Sequence, residues 1–574
     1  MIQLVQSKQT ELLDGGESFR DSTKSTWWTV IEWFSLVLLV IAVHGQSPPD
    51  VNETHYLTKA KHFWNPDWCR GDLFLESHDS HWLFFVTTGW VTQYVPLNAF
   101  AWIGRLVTWG VFCICWLGMI RMVIPYRWSG LLSLGLFLLL NERFHLAGEW
   151  VVGGFEAKSI AMVFELAAIW ALLGNRLGLG VLATGAAIGF HPLAGGWFLV
   201  AALFASFNSS RLSFATIEET VPTVIWSTKL NRSFFALAFF AVVFGVAGIL
   251  PPVLSQTGAS NQDLAEAARI QVTYRLSHHL LFGAFETPRV AAFVLLVCFW
   301  LGLRKIAAGN APLLWMNRLA FAGILFNVAG LVLSAIAKQD TVCSEVSLSL
   351  LRLYWFRFAD LALPLVVACS VAKILLCWLS DVVDKRRMRI AGIATIVLAI
   401  AVALHIAEAW QDRRPRADQA ALMCIEGDSK KNAEIARNWR AACSWIREHT
   451  PQDAIFITPA DQQTFKWYAE RAEVVCWKDM PQDPVTILTW RDRIDSLYRP
   501  QREYELGLFA YSDDQLSDLA DRYGADYLVV PQREYEAAST DGRFQIVYPE
   551  DSRRRTTYVV LRVTRKSIVG DSGD

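Results

Sequence analysis

The 574-residue chain has ten cysteines, yet no Cys-x-x-Cys pair and no Cys/His spacing suited to zinc. That argues against dithiol redox chemistry and zinc modules. A charge excess is also missing, with 53 Lys and Arg against 54 Asp and Glu. No basic stripe interleaved with aromatics runs along the chain, so nucleic acid is set aside as a partner. The C-terminal region contains no G-x-G-x-x-G, P-loop or G-x-S-x-G, which argues against an independent nucleotide or hydrolase site there. No small-residue cleavage site follows the first apolar segment, Trp27 to Val43. A retained signal anchor with an attached N-terminus is therefore expected.

What the sequence does hold is hydrophobic residues, at 53% of the chain. Apolar runs separated by short polar punctuation fill Trp27 to Ala409, and after Trp410 the sequence becomes charged, as in Arg413-Arg414 and Arg553-Arg554-Arg555. The 25 Trp residues suit many membrane-water interfaces. The expected fold is an α-helical polytopic membrane domain of about 11 transmembrane helices followed by a small α/β soluble domain. Its parts are a cytoplasmic tail at 1–26, a transmembrane domain at 27–409 with a large outer first loop at 46–96, and an extracytoplasmic domain at 410–574. Cys113, Cys115, Cys298, Cys369 and Cys377 sit in apolar runs and read as buried small hydrophobes. Cys424, Cys443 and Cys476 share the C-terminal domain, where an outer location permits one disulfide.

The expected spans are 27–45, 97–120, 128–146, 158–174, 176–191, 192–207, 233–250, 290–303, 312–337, 357–380 and 390–409. The fifth is short and rich in glycine, which suits either tight packing or a re-entrant segment; losing it as a span would reverse every later loop. An inside N-terminus puts Arg121, Arg127, Arg176, Arg211, Lys229, Arg232, Arg304, Lys305, Lys385, Arg386, Arg387 and Arg389 in inner connections. This agrees with the excess of cations in cytoplasmic loops. The outer segments are then 46–96, 141–157, the turn at His191, 251–289, 338–356 and the C-terminal domain. The setting is a multi-pass protein of the cell (inner) membrane, with the lipid bilayer as its partner.

Directly after the first span, Asp50-Val51-Asn52-Glu53-Thr54-His55-Tyr56 is followed by Asp72 and Glu76. Carboxylates beside His and Tyr at a membrane surface suit a base or a site for a hydroxylated or cationic ligand; a solvated loop has the same composition. The layout resembles the GT-C membrane glycosyltransferases, and Asn52-Glu53-Thr54-His55-Tyr56 is similar to their acidic first-loop motif at Glu53 and Tyr56. It departs at Asn52, where several members carry an aspartate. The resemblance implies transfer of a sugar from a polyprenyl-phosphate-linked donor to an acceptor, with Asp50 or Glu53 as the base and His55, Tyr56 and Asp72 around the substrate. A divalent metal assists some members, and the sequence leaves that point open here.

The second outer loop carries Glu142, Glu149 and Glu156 at seven-residue intervals, a spacing that would share one helical face unless Gly153-Gly154 breaks the helix. Glu149, Glu156 and Lys158 are candidates for the site; Glu156 with Lys158 would equally cap the fourth helix. His191 before Pro192 could reach the same cavity or bond a neighbouring carbonyl, and His278-His279 reads as interfacial. Late in the membrane domain, Arg352 and Arg357 suit a phosphate clamp. The competing reading is interfacial snorkelling, with Arg357 paired to Asp360. A flippase for a lipid-linked sugar and a non-catalytic envelope scaffold remain the functional alternatives.

In the C-terminal region, Ala441 to His449 and Asp514 to Arg522 read as helices. Ala454–Thr458, Ala472–Cys476, Asp526–Val530 and Tyr558–Val563 read as strands.

Overall fold

The computed structural model describes residues 26–149, 151–207, 232–307, 309–339, 342–381, 383–420, 429–498, 512–531, 543–550 and 556–565. Each expected span meets a helix: Thr26–His44, Leu97–Val123, Ser129–Arg143, Ala157–Leu173, Leu177–Phe190, Pro192–Ser206, Arg232–Leu254, Thr287–Leu303, Ala311–Ile336, Arg357–Leu379 and Lys385–Ala409. Seven of the helices are long and apolar enough to cross a membrane. Ser129–Arg143, Ala157–Leu173, Leu177–Phe190 and Pro192–Ser206 have only 14 to 17 residues, or about 21 to 26 Å at the rise of an α-helix. Helices such as Arg232–Leu254 and Lys385–Ala409 turn Phe239, Val242, Ile393 and Val397 outward, as lipid-facing surfaces do.

The glycine-rich fifth segment is helical, and its small residues serve close packing. A Cβ on Gly185 would lie 2.4 Å from the Ala241 carbonyl oxygen, and one on Gly248 would lie 2.3 Å from that of Ile188. The backbones of Leu177–Phe190 and Arg232–Leu254 therefore touch, as small residues permit in membrane helix pairs. Cys113, Cys115 and Cys369 are buried as expected, whereas Cys298 and Cys377 are exposed. Both lie in helices that show one side to the surroundings, which correlates poorly with apolar context alone.

The first loop is not a solvated coil: it folds into helices Glu53–Trp64 and Trp82–Thr88, with Glu53, Thr54, Lys59 and Asp72 buried.

The C-terminal domain holds one five-stranded sheet in the order β2-β1-β3-β5-β4, with β1 Ile455–Ile457, β2 Ala472–Glu473, β3 Tyr527–Pro531, β4 Phe544–Tyr548 and β5 Tyr558–Val563. β2, β1 and β3 run parallel, and β5 is antiparallel to β3 and β4. Successive residues feed opposite cores. Phe456, Val529 and Val560 pack with Trp439 of helix Ser429–His449, and Ile457, Leu528 and Leu561 pack with Trp490 of helix Pro484–Leu497. Burial on both faces explains the unbroken apolar runs in β3 and β5. The sequence reading began the first helix at Ala441 and extended the second strand to Cys476. The structure starts the helix at Ser429 and ends the strand at Glu473, and it adds β4, Phe465–Ala469 and Pro484–Leu497. Cys443 and Cys476 are free buried thiols; Cys424 lies outside the described residues.

This domain is docked on the first loop through the Lys466 ammonium. Its Nζ lies 2.6 Å from Glu473 Oε1, 2.8 Å from Asp479 Oδ2 and 3.3 Å from Asp72 Oδ2. Asp72 also accepts the amides of Phe74, Leu75 and Glu473. Burial disfavours the ammonium, but Asp479, Asp72 and Glu473 raise its pKa well above the ordinary lysine value. Burial likewise opposes ionisation of Asp479, and Lys466 with His55 nevertheless holds its carboxyl well below the usual range.

Two outcomes follow from this packing. Gly185→Leu drives a side chain into the Ala241 backbone and should strongly reduce the yield of folded protein, read by size-exclusion of detergent-solubilised material. Lys466→Met leaves three buried carboxylates without their cation and should destabilise docking by about 3 to 5 kcal/mol, read by thermal unfolding and protease release of the C-terminal domain. The lowered pKa of Asp479 contributes stability that is present above the unfolded value of about 4 and is lost as pH falls. The raised pKa of Lys466 contributes stability that is present below about 10.4 and is lost as pH climbs through the folded value. Wild-type docking should therefore hold from about pH 5 to 10.

Candidate active site

Glu53 opens its helix as the first residue after Asn52, at the boundary between the first loop and helix Leu97–Val123. Arg105 on that helix donates Nε to Glu53 Oε1 at 2.7 Å and Nη2 to Oε2 at 2.6 Å. The Phe155 amide donates to Oε1 at 2.8 Å and the Asp50 amide to Oε2 at 2.7 Å. Four donors fill the acceptor capacity of one carboxylate. Among the described residues Asp50 has no ion-pair partner, and its Oδ1 accepts the Val51 amide at 2.6 Å.

The second loop passes directly over these groups. A Cβ on Gly154 would lie 2.7 Å from the Asp50 Cβ and 2.9 Å from the Glu53 Cγ, so glycine is what lets the two loops approach. No single helix carries Glu142, Glu149 and Glu156. Helix Ser129–Arg143 ends just after Glu142, which is exposed, and Glu156 is the N-cap of Ala157–Leu173. Glu149 and Glu156 still meet, because Lys158 Nζ lies 3.0 Å from Glu149 Oε1 and 3.6 Å from Glu156 Oε1.

Arg357 completes this cluster with its Nε 3.1 Å from Glu149 Oε2, in place of the expected Asp360 pair. Asp360 is instead occupied by the amides of Leu146 and Ala147 at 2.7 and 2.8 Å, which fixes the second loop to helix Arg357–Leu379. The Arg357 guanidinium stacks 4.1 Å from the Tyr354 ring centroid, and Tyr354 itself has φ 58°. A bulky residue in that conformation stores backbone strain beside the cluster.

Glu149, Lys158, His191, Tyr354 and Arg357 line a cavity. His191 Nδ1 accepts the Ala194 amide, capping its helix while the ring faces the cavity. Its ring centroid is 5.2 Å from that of His81, whose Nε2 is 3.2 Å from the Tyr56 hydroxyl. Burial lowers the pKa of His81 to about 4 and raises that of Tyr56, so both are neutral at physiological pH. An apolar cavity continues from the first, sharing Met162, Glu165, Phe358 and Leu361.

Three candidates lie elsewhere. Asp72 belongs to the Lys466 docking cluster. Arg352 is not among the cavity's lining residues and donates to Gln271 Oε1 at 2.6 Å. His55 bonds Asp479 at 3.0 Å, between the loop and the C-terminal domain. His279 packs on the second loop, bonding the Ala147 carbonyl.

Sequence reasoning passed over Arg105 and Glu165, although an ionisable residue inside an apolar helix is itself a signal of function or pairing. It also passed over Lys478 and Asp479, whose position beside the first loop depends on tertiary folding. Glu473, Cys476 and Asp479 bring ligand atoms within 4.8 Å of one another. The Lys466 ammonium lies within 2.8 Å of both carboxylates, so a divalent metal held by this trio would share them with it or displace it.

Residues 437–497 match a family described as "Domain of unknown function (DUF6798)"; the segment includes Lys466, Glu473, Lys478 and Asp479. No match is found among curated proteins. Among solved structures, the chain is similar to the archaeal oligosaccharyltransferase AglB from Archaeoglobus fulgidus in complex with an inhibitory peptide and a dolichol-phosphate. The identity is 11% and the TM-score 0.40, over 88% of this chain and 70% of that one. It is also similar to ArnT from Cupriavidus metallidurans bound to undecaprenyl phosphate, at 12% identity and a TM-score of 0.43 over 94% and 98% of the two chains.

Proposed function

We propose that this chain is a membrane glycosyltransferase of the GT-C type, moving a sugar from a polyprenyl-phosphate donor to an acceptor at the outer face. On this reading eleven crossings leave the two termini on opposite sides, and the excess of Lys and Arg in alternate connections sets the N-terminus in the cytoplasm and the acidic loops outside. The observation that carries the reading is the ion-paired cluster of Glu149, Glu156, Lys158 and Arg357, three of which line a cavity with an apolar extension, packed against the first loop where Gly154 meets Asp50 and Glu53.

The chemistry is displacement at the anomeric carbon. Asp50 takes the proton of the acceptor hydroxyl or amide as that atom attacks, because such groups are poor nucleophiles until the proton is leaving. The anomeric C–O bond breaks and its electron pair departs with the phosphate. Arg357 meets the charge that develops there, which paired guanidinium hydrogen bonds suit. Glu53 positions the base by holding the Asp50 amide, since its own acceptor sites are filled. Glu149 orients Arg357, Lys158 holds Glu149 and Glu156 together, and His191 forms part of the cavity wall as a neutral group, backed by His81 and Tyr56. Asp72 and His55 fix the C-terminal domain over the loop. The apolar cavity suits part of the lipid chain.

Asp50→Asn should lower transfer of a radiolabelled sugar from its undecaprenyl-phosphate carrier by about 100-fold or more, with unchanged donor affinity; full activity in this variant would remove Asp50 as the base. Arg357→Ala should weaken undecaprenyl phosphate binding by about 10- to 100-fold, and Arg357→Lys should fall between it and wild type. A snorkelling role would instead tolerate lysine. Cysteine labelling in intact cells should reach engineered sites in the loop at 255–260 and the C-terminal domain before permeabilisation; labelling only afterwards would reverse the orientation.

A further inference from the structure

Arg105, Lys158, Arg357 and Lys466 each have a charged partner within the chain. Glu165 does not. It lies in the body of helix Ala157–Leu173 and is 2% exposed, and among the described residues neither of its carboxyl oxygens has a hydrogen-bond partner. An ionisable group inside an apolar helix is costly and ordinarily faces a partner or a cavity, and a buried polar group without a hydrogen bond adds to that cost. Glu165 faces two cavities, because it lines both the polar one and the apolar one that continues from it. Lys158, Met162 and Glu165 follow one another at steps of four and three residues, so a single stripe of the helix faces the polar cavity. Glu165 lies about 10 Å along the axis from Lys158.

What else lines the cavity narrows the partner that the carboxyl lacks. An ammonium would meet Lys158 and Arg357 on the same wall, and a further anion at this depth would meet the carboxyl itself. A hydrocarbon chain passing into the apolar cavity offers no hydrogen bond and does not account for the group. A neutral hydroxyl does, as a donor to a carboxyl oxygen. His191 supplies the complementary sense: its Nδ1 accepts the Ala194 amide, which leaves the proton of the neutral ring on Nε2 as a donor. Trp197 and Tyr354 add aromatic surface to the same cavity, and apolar walls with a few placed polar groups suit a ring that carries hydroxyls on its rim.

We infer that Glu165 is a specificity-determining residue that binds hydroxyls of the transferred sugar, and that the unit held there is a neutral hydroxylated ring rather than an acidic sugar. The inference rests on reading the cavity as the donor site, which Arg357 tests independently.

The experiment is titration of the full-length protein in nanodiscs with undecaprenyl phosphate, bare and carrying glucose, mannose, galactose or glucuronic acid. Wild type should bind one of the neutral glycosylated carriers about tenfold more tightly than the bare carrier and the glucuronic acid carrier. Glu165→Leu should lose that margin while binding the bare carrier within about threefold of wild type. It should also melt no lower than wild type, since the carboxyl bonds nothing among the described residues. Among deoxy analogues of the preferred sugar, one should cost wild type about tenfold and Glu165→Leu nothing, which is the coupling of a direct contact. A wild-type preference retained in Glu165→Leu, with affinity for every carrier lost in Arg357→Ala, overturns this inference alone. Unchanged affinities in Arg357→Ala overturn the donor site and the inference with it. Equal affinity of wild type for bare and glycosylated carriers overturns the inference. Transfer lost in Glu165→Leu with all carrier affinities unchanged gives the hydroxyl to the acceptor and overturns it as well.

Discussion

An arginine in the body of an apolar helix is costly to insert and persists where a partner and hydrogen bonds absorb its charge. Arg105 meets that condition with Glu53, through two short bonds in a fixed planar fork. The pair reaches beyond its own two residues. Through Glu53 it holds the Asp50 and Phe155 amides, and through its third nitrogen it holds the Gln46 carbonyl at 2.7 Å. One ion pair thus joins the end of the first helix, the first loop, the fourth expected span's entry and the second loop. Removing either partner would leave an uncompensated buried charge, while removing both would also release the backbone that carries Asp50. The position of Asp50 is for this reason a property of the membrane helix as much as of the loop.

The lysine cluster acts by similar physics on a different scale. It gathers carboxylates from the first loop and the C-terminal domain around one ammonium, and the result is a domain seated so that Lys478 meets Asn52. The two buried charge systems have opposite arrangements, a cation held by one carboxylate in the first and by three in the second. In the second, the excess of negative charge makes Lys466 indispensable. Near the cavity the balance shifts again, toward cations whose carboxylate neighbours are already shared.

Hydropathy revealed most of the helices because burial in lipid or in the bundle imposes long apolar runs whatever the tertiary contacts. Its limit appears at Leu177–Phe190, where composition alone left tight packing and re-entry open; the approach of Gly185 to the Ala241 backbone shows the tight packing. In the C-terminal domain, β3 and β5 were legible because both faces are buried. Phe544–Tyr548 was not, since Gln545 and Ile546 are exposed at the sheet edge and the strand lacks a continuous apolar run. Helix Pro484–Leu497 was hidden by a weak amphipathic pattern, although Asp483 followed by Pro484 is a helix-start signal.

The site was legible residue by residue but not as geometry. Glu149 and Glu156 were singled out through a helical spacing that the loop does not have, and they meet because Lys158 bridges them. Arg357 was paired in sequence with Asp360 by proximity, yet Asp360 is saturated by backbone amides and the guanidinium turns to Glu149. Local spacing reads only contacts within one regular element, and every bond that matters here crosses between elements. Lys478 marks the extreme case: it lies 426 residues from Asn52, in a soluble domain, and no periodicity connects them. What sequence does offer at such a position is a local inconsistency. An asparagine at a helix start that does not cap its helix has a side chain committed elsewhere, here to an ammonium of the C-terminal domain.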